Sequence, residues 1–299
     1  MGCCFSNQKG LKNVSMALKL PNSKNYLLFN STRNEHGVLR YDINKHISSM
    51  LFSEKNVSYT NWIVYNDQDH SGEHPTHAHA KGIVAWNAKC IMWFCHSIPH
   101  FPTTFDGKSI EEVAHSQLIF GQSLLFLTLS FSLDTLNNIK NQLNCMNVHV
   151  TSRSEKNILP ILTPIFTSHE KRNKNGTLSE IIISNKIKHV AKSSVHHIDI
   201  YQNIFHQHKH YDGDKIYVET WRRGHQCPQT DNIIDVNKCH HIPSANVWYE
   251  HQDHAKWACT DDYYCVGDLN RMDSQFHRGG GMFVINDPNI ALALKDLVH

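Results

Sequence analysis

His79-Ala80-Lys81 and His254-Ala255-Lys256 are the same tripeptide written twice, 175 residues apart. In a strand, side chains alternate between faces, so residues i and i+2 point to one side. The pattern places His79 with Lys81 on one pocket, and His254 with Lys256 likewise. An imidazole beside a fixed ammonium suits phosphodiester chemistry. The ring attacks phosphorus or delivers a proton, while the lysine holds a non-bridging oxygen and offsets transition-state charge. Two such units divide the labour without a metal: a neutral ring is the nucleophile, and a protonated ring is the acid for the leaving oxygen. The lysines should lower both histidine pKa values, and a bound phosphate should raise them. One isolated tripeptide of this kind is ordinarily a structural histidine next to a solvated lysine. Its surroundings raise its value.

The chain has 299 residues at 34.4 kDa, enough for one large fold or two fused halves. With 40% hydrophobic and 19% charged residues it buries a core, and wholesale disorder is excluded. The net charge is +2 with histidines neutral, so the chain carries no standing attraction for polyanions. Protonating all 24 histidines raises it to +26. Only in an acidic compartment does the protein attract DNA over long range.

No stretch reaches eighteen uninterrupted apolar residues. The longest candidate, Leu118 to Leu133, is broken by Gly121, Gln122, Ser123, Thr128 and Ser130, so it reads as one or two buried strands and predicts no membrane span. Nine cysteines without a CxxC pair argue against a structural zinc cage. Asn-x-Ser/Thr sequons stand at Asn13, Asn30, Asn56 and Asn175, acceptors only in a secretory protein. The start, Met1-Gly2-Cys3-Cys4-Phe5-Ser6, instead fits myristoylation of Gly2 with palmitoylation of Cys3 and Cys4, a lipid-anchored cytoplasmic alternative.

Residues 59–65 and 82–95 are rich in β-branched and aromatic residues and predict strands. From Ser132, the run Leu133, Leu136, Ile139 and Leu143 predicts a helix. Segments 152–157 and 168–177 read as exposed loops, with a boundary between halves near 135–175. Residues 178–190 have a strand-like apolar centre. A closing helix takes Asp287 as N-cap and Pro288 in its first turn, with Ile290, Leu294 and Leu297 on one face. The mixture predicts an α/β or α+β fold without solenoid repeats.

Three blocks resemble the N-terminal half of deoxyribonuclease II. They are Tyr65-Asn66-Asp67-Gln68, His79-Ala80-Lys81-Gly82, and the run from His96 through Pro99, Phe101 and Pro102. The C-terminal half is similar through Asp253-His254-Ala255-Lys256-Trp257, the run Cys265 to Arg271, and Arg278-Gly279-Gly280-Gly281. Lys19-Leu20-Pro21 and Gly121-Gln122 add smaller matches. The blocks keep the family's order across residues 19–281.

The resemblance implies a phospholipase D-like pseudo-dimer, a single domain over 1–299. Its two sheet-containing halves, about 1–150 and 151–299, share one active site. It also implies an acid endonuclease that needs no metal or other cofactor, leaves 3′-phosphate and 5′-hydroxyl ends, and takes DNA as its partner. His79 is assigned as nucleophile and His254 as general acid, roles that are exchangeable, with Lys81 and Lys256 holding phosphate. Asn270 and His100 fall at expected phosphate-binding positions, and His96 and Asp268 at supporting ones. The glycines at 279–281 permit tight backbone passage. A secreted or lysosomal location follows, with Met1 standing where a signal peptide would already have been removed. Homo-oligomerisation is not readable.

The chain departs from the family at several positions. His100 replaces Asn, so charge there varies with pH, and Asn87 replaces Asp. Ala258 intervenes before Cys259. Leu118 and Phe126 stand where flanking cysteines are usual, and Cys4 aligns with an N-terminal family cysteine. One of Cys259 and Cys265 is expected in a disulfide, with the pairing open.

Other clusters have their own readings. His74, His77 and His79 lie close, and His206, His208 and His210 alternate along a possible strand; each set could bind zinc through same-side rings. No carboxylate completes the first set, and Lys81 opposes a cation there. Trp221-Arg222-Arg223 offers DNA contacts or, more ordinarily, a half-buried aromatic with solvated arginines. Two rivals to the nuclease stand: a catalytically impaired, secreted DNA-binding or host-interacting homologue, and a metal-dependent hydrolase built on the histidine-rich segments.

Overall fold

A computed structural model describes residues 10–52, 58–154, 178–209, 213–223, 230 and 232–299. Gly2, Cys3, Cys4, Asn56, Asn175, His210 and the loop 168–177 lie outside the described residues.

The first run of elements is β1 (Leu11–Lys19), β2 (Tyr26–Asn30), β3 (Glu35–Arg40), α1 (Ile43–Leu51), β4 (Asn61–Asn66), β5 (Gln68–Asp69) and β6 (Gly72–Glu73). It continues with β7 (Lys81–Trp86), β8 (Cys90–His96), β9 (Gln122–Ser130), α2 (Leu133–Met146) and β10 (Val150–Arg153). The second run begins β11 (Leu178–Ser184), β12 (Ile187–Lys192), α3 (Ile200–His208), β13 (Ile216–Thr220), β14 (Ile233–Asp235) and β15 (Lys238–His241). It ends with β16 (Asn246–Tyr249), β17 (Lys256–Cys259), β18 (Tyr263–Gly267), α4 (Asp273–Phe276), β19 (Gly280–Asn286) and α5 (Pro288–Lys295).

The fold is mixed α/β and dominated by sheet. An eight-stranded sheet runs β10-β4-β7-β8-β9-β1-β2-β3, and a seven-stranded sheet runs β11-β12-β19-β18-β17-β13-β14. Within the two, only β13 and β14 pair in parallel. Period-2 alternation explains the layering. Along β9, Leu125, Leu127 and Leu129 enter a core shared with Trp257, Tyr264 and Phe283 of the other sheet. Leu124 and Phe126 face the opposite way, onto α1 and the 98–118 loop. Trp93 of the first sheet meets Phe283 of the second with ring centroids 4.8 Å apart. The outer face of the second sheet is covered by α3 through Ile200, Ile204 and Phe205.

Local signals place several elements as read from the sequence. Ser132 caps α2 by accepting from the Thr135 N–H, and Leu136, Ile139 and Leu143 are buried along one face. Asp287 caps α5, with Pro288 in the first turn and Ile290 and Leu294 buried. The stretch 118–133 gives one strand, and no helix among the described residues is long and apolar enough to cross a membrane.

Three expectations are corrected. His206 and His208 lie on α3 rather than a strand, because Asp199 caps that helix and its 3.6-residue spacing buries Ile200, Tyr201, Ile204 and Phe205. Cys259 and Cys265 are both free thiols. They stand on neighbouring strands one register apart, opposite Tyr264 and Ala258 respectively, so their side chains enter different cores and cannot join to each other. Asn30 is buried, and its amide nitrogen, the atom that would carry a glycan, donates to Asn13 Oδ1 at 3.3 Å rather than facing solvent.

Candidate active site

Each His-Ala-Lys unit sits where a strand begins: Lys81 opens β7 and Lys256 opens β17, with the histidine two residues ahead. The lead-in segments are fastened across the molecule rather than within their own sheets. The His79 N–H donates to the Gly279 carbonyl at 2.9 Å, just before β19 of the second sheet. The His254 N–H donates to the Gly121 carbonyl at 2.9 Å, just before β9 of the first. Both carbonyls belong to glycines for a steric reason. A Cβ at Gly279 would lie 2.0 Å from the Met146 carbonyl oxygen, and one at Gly121 would lie 2.4 Å from Asp253 Oδ1.

The His79 ring is oriented by backbone. Its Nδ1 lies 2.8 Å from the Asp268 carbonyl oxygen. A carbonyl only accepts, so Nδ1 carries the hydrogen, and the neutral ring keeps its lone pair on Nε2. Lys81 Nζ donates to Asp67 Oδ1 at 2.5 Å, and Arg278 donates to Asp67 Oδ2 at 2.9 Å. The His254 ring is held by aromatic surfaces. Phe120 stacks on it at 4.4 Å and 4°, and Trp221 meets it edge-on at 3.9 Å. Lys256 donates through Nζ to the His254 carbonyl at 2.8 Å and through its backbone N–H to Ser123 Oγ at 3.0 Å.

Electrostatics tie the four groups into one site. Burial, then Lys81, Lys256 and Arg278, hold the His79 imidazole well below its ordinary value against the pull of Asp67. Burial, then Lys256 and Lys81, bring His254 down to about 3. Lys256 falls to about 7 through burial and the facing Lys81 charge. Burial works to raise Asp67, but Lys81, His79 and Arg278 overcome it and keep the carboxyl below the usual carboxylate range. Lys81 thus acts on both imidazoles and on Lys256, which puts the two His–Lys units within electrostatic reach of each other.

The remaining residues singled out in the sequence are placed as follows. Asp268 supports His79 through its carbonyl, while its carboxyl accepts from the Gly281 N–H at 2.8 Å and is pushed up to about 7, chiefly by burial. His96 is buried against Phe94 and Phe101; burial and Lys81 lower its pKa well below the ordinary value. Asn270 is buried two residues after Asp268, and its Oδ1 has no partner among the described residues. His100 docks on the neighbouring turn, its N–H donating to the Gln68 carbonyl and its Nδ1 to that of Asp69, both at 2.9 Å. Asn87 shapes the β7–β8 turn, its Oδ1 accepting from the Lys89 and Cys90 N–H groups.

Sequence reading quoted Asp67 and Arg278 within motifs without giving them a place in the site, and it missed Phe120 altogether. Only the fold sets Phe120 against His254. Of the Trp221-Arg222-Arg223 run, Arg223 lies over the Trp221 ring at 4.3 Å. Arg222 is not solvated: it is buried and paired with Asp235 and Glu250, because it sits under the β14 edge rather than on the surface.

Fold and site together define a mixed α/β protein in which each of two large sheets has a strand that opens on a His-Ala-Lys unit. The chain belongs to the deoxyribonuclease II family, whose model matches residues 12–299. It is 29% identical to a putative deoxyribonuclease-2 of Burkholderia pseudomallei (strain 1710b) over 296 residues, covering 90% of this chain and 79% of that protein. It is 26% identical to deoxyribonuclease-2-alpha of Rattus norvegicus, over 82% of this chain and 74% of that one. Against plancitoxin-1 of Acanthaster planci the identity is 27%, with 79% and 69% covered. Family membership makes the protein a nuclease whose substrate is DNA.

Proposed function

We propose that the protein is an acid endodeoxyribonuclease that cleaves DNA phosphodiesters without a metal ion, through His79, Lys81, His254 and Lys256. The two halves act as a phospholipase D-like pseudo-dimer, each giving one unit to a shared site. His79 Nε2 attacks phosphorus, and the P–O5′ bond breaks as an N–P bond forms. The 5′ oxygen takes a proton from His254, whose pKa rises once phosphate charge lies beside it. Water then attacks the phosphohistidine and gives its proton to His254, and cleavage of the N–P bond leaves a 3′-phosphate. Lys81 and Lys256 hold the non-bridging oxygens throughout. Recognition through phosphate predicts little sequence preference.

The observation that carries this reading is the donation from His79 Nδ1 to the Asp268 carbonyl, which leaves Nε2 free to attack. Acid operation agrees with Lys256, which is predominantly an ammonium only below about 7. A secreted or lysosomal location fits that requirement.

Plasmid nicking at pH 5 in chelator tests the proposal. The expected result is cleavage to 3′-phosphate ends, lost on His254→Ala and on His79→Ala. Retention of plasmid without cleavage by the unaltered protein would show a DNA-binding homologue instead. Activity abolished by chelator and restored by zinc would overturn the metal-free chemistry.

A further inference from the structure

We propose that Asp69, His74 and His149 form a binding site for one Zn²⁺, separate from the two His–Lys units. They come from two distant stretches: the end of β5 supplies Asp69 and the residue after β6 supplies His74, while the residue before β10 supplies His149. One ligand atom from each lies within 4.8 Å of the others. His74 Nε2 is 3.2 Å from Asp69 Oδ1, and His149 Nε2 is 3.3 Å from Asp69 Oδ2. Tetrahedral zinc with bonds of about 2.0–2.1 Å spaces neighbouring donors about 3.3–3.4 Å apart. Each histidine therefore already stands at that spacing from one oxygen of Asp69.

The donor chemistry also fits. Two neutral imidazoles and one carboxylate suit a borderline divalent ion and leave a fourth position for water. The His77 ring lies 5.0 Å from that of His149. Outer contacts fix the carboxylate, since Asp69 Oδ1 accepts from the Ser71 N–H at 2.8 Å and from the Ser71 hydroxyl at 2.7 Å. The side chains retain an open approach: Asp69 is 13% exposed, His74 25% and His149 24%. The positive charge of Arg278 is directed to Asp67 and to the carbonyl oxygens of His74 and His77 rather than to the cluster.

Location gives the site a consequence. The Asn66 N–H donates to the His149 carbonyl at 2.9 Å, and the Ala78 N–H donates to the Asn147 carbonyl at 2.9 Å. A metal joining Asp69 and His74 to His149 thus closes a clamp around the segment that ends at His79. This proposal does not rest on the nuclease reading. Its readouts are metal binding and stability, which report whether or not the protein cuts DNA.

The test uses the full-length protein, stripped with chelator and titrated with Zn²⁺ at pH 7.5 by calorimetry. Co²⁺ serves as a spectroscopic replacement. The expected result is one tight equivalent, intense tetrahedral d–d bands with Co²⁺, and a raised Tm. Asp69→Asn and His149→Ala should each weaken the tight site about 10²-fold or more, while His206→Ala leaves it intact. Circular dichroism of the metal-free variants checks that they fold, and Asp69→Asn, nearly isosteric, serves should His149→Ala not. A tight site that survives both substitutions, or binding only of many weak equivalents spread over the surface histidines, overturns the proposal.

Discussion

Lys19 and Lys192 occupy matching posts in the two large sheets. Lys19 ends β1 and pairs with Gln122 at the start of β9; Lys192 ends β12 and pairs with Gly280 at the start of β19. Each buried ammonium turns back onto the loop entering the partner strand. Lys19 donates to the carbonyls of Leu118 and Phe120, and Lys192 to those of His196, Phe276 and Arg278. The next carbonyls along, Gly121 and Gly279, receive the His254 and His79 N–H groups. The two lysines therefore brace the loops on which the site histidines hang.

Replacing Lys192 by Met leaves three carbonyls without their donor and should cost about 2–4 kcal/mol of stability, read by urea unfolding. Burial lowers Lys192 to about 8 and Lys19 to about 7. The unfolded state, with its ordinary lysine value, then binds more protons between those values and about 10.5, so these groups make stability rise with pH across that window and fall as pH drops through it. Lys192→Met should flatten the slope above pH 8. An unchanged slope would show that the ammonium is not buried.

The pH profile of cleavage should lose activity as pH rises through about 7, where Lys256 gives up its proton. In Lys256→Arg the charge persists, so this alkaline limb should move upward even though the altered geometry lowers the maximum rate. A limb unmoved in the arginine variant would assign it to another group. Rates of plasmid nicking from pH 4 to 9 give the comparison.

Phe120 stacks on the His254 ring, so in the proposed mechanism its part is to position that ring. Phe120→Ala removes the stacked face and should lower kcat about 10-fold with little change in KM. Phe120→Tyr restores the surface and should recover most of that loss. Equal effects of Ala and Tyr would mean that stacking is irrelevant.

Arg271 is buried with its guanidinium shared between Asp199 and Asp235, and Arg222 adds a second cation to Asp235. Arg271→Leu strands the buried Asp199 carboxylate, leaves Asp235 with Arg222 alone, and should destabilise the fold by about 3–5 kcal/mol. Since Arg271 follows Asn270 directly, the same variant should also loosen the loop that carries Asp268. Urea denaturation measures the first effect and hydrogen exchange at residues 268–271 the second.

Much of this molecule was legible in order along the chain. Ser132 and Asp287 announce their helices because a capping side chain bonds its own next turn, and strands such as 59–65 announce themselves by β-branched and aromatic content. The family motifs place His79, Lys81, His254 and Lys256 by type and spacing. Where reading failed, the deciding contact was long-range. The alternation of His206 and His208 gave way to the apolar face of α3, and Arg222 was drawn inward by Asp235 and Glu250.

The sequence by itself determined the mixed α/β class, the family and the repeated His-Ala-Lys motif, because these rest on residue type, local period and ordered motifs. Only tertiary structure decided that the Gly279 carbonyl of one sheet holds His79, that the Gly121 carbonyl of the other holds His254, and that Asp69, His74 and His149 converge. The first two join residues 200 and 133 positions apart, and the third brings His149 to a hairpin at least 75 positions before it. No local pattern encodes them, since they exist only once the two sheets have buried their shared apolar face and fixed the loops at its rim.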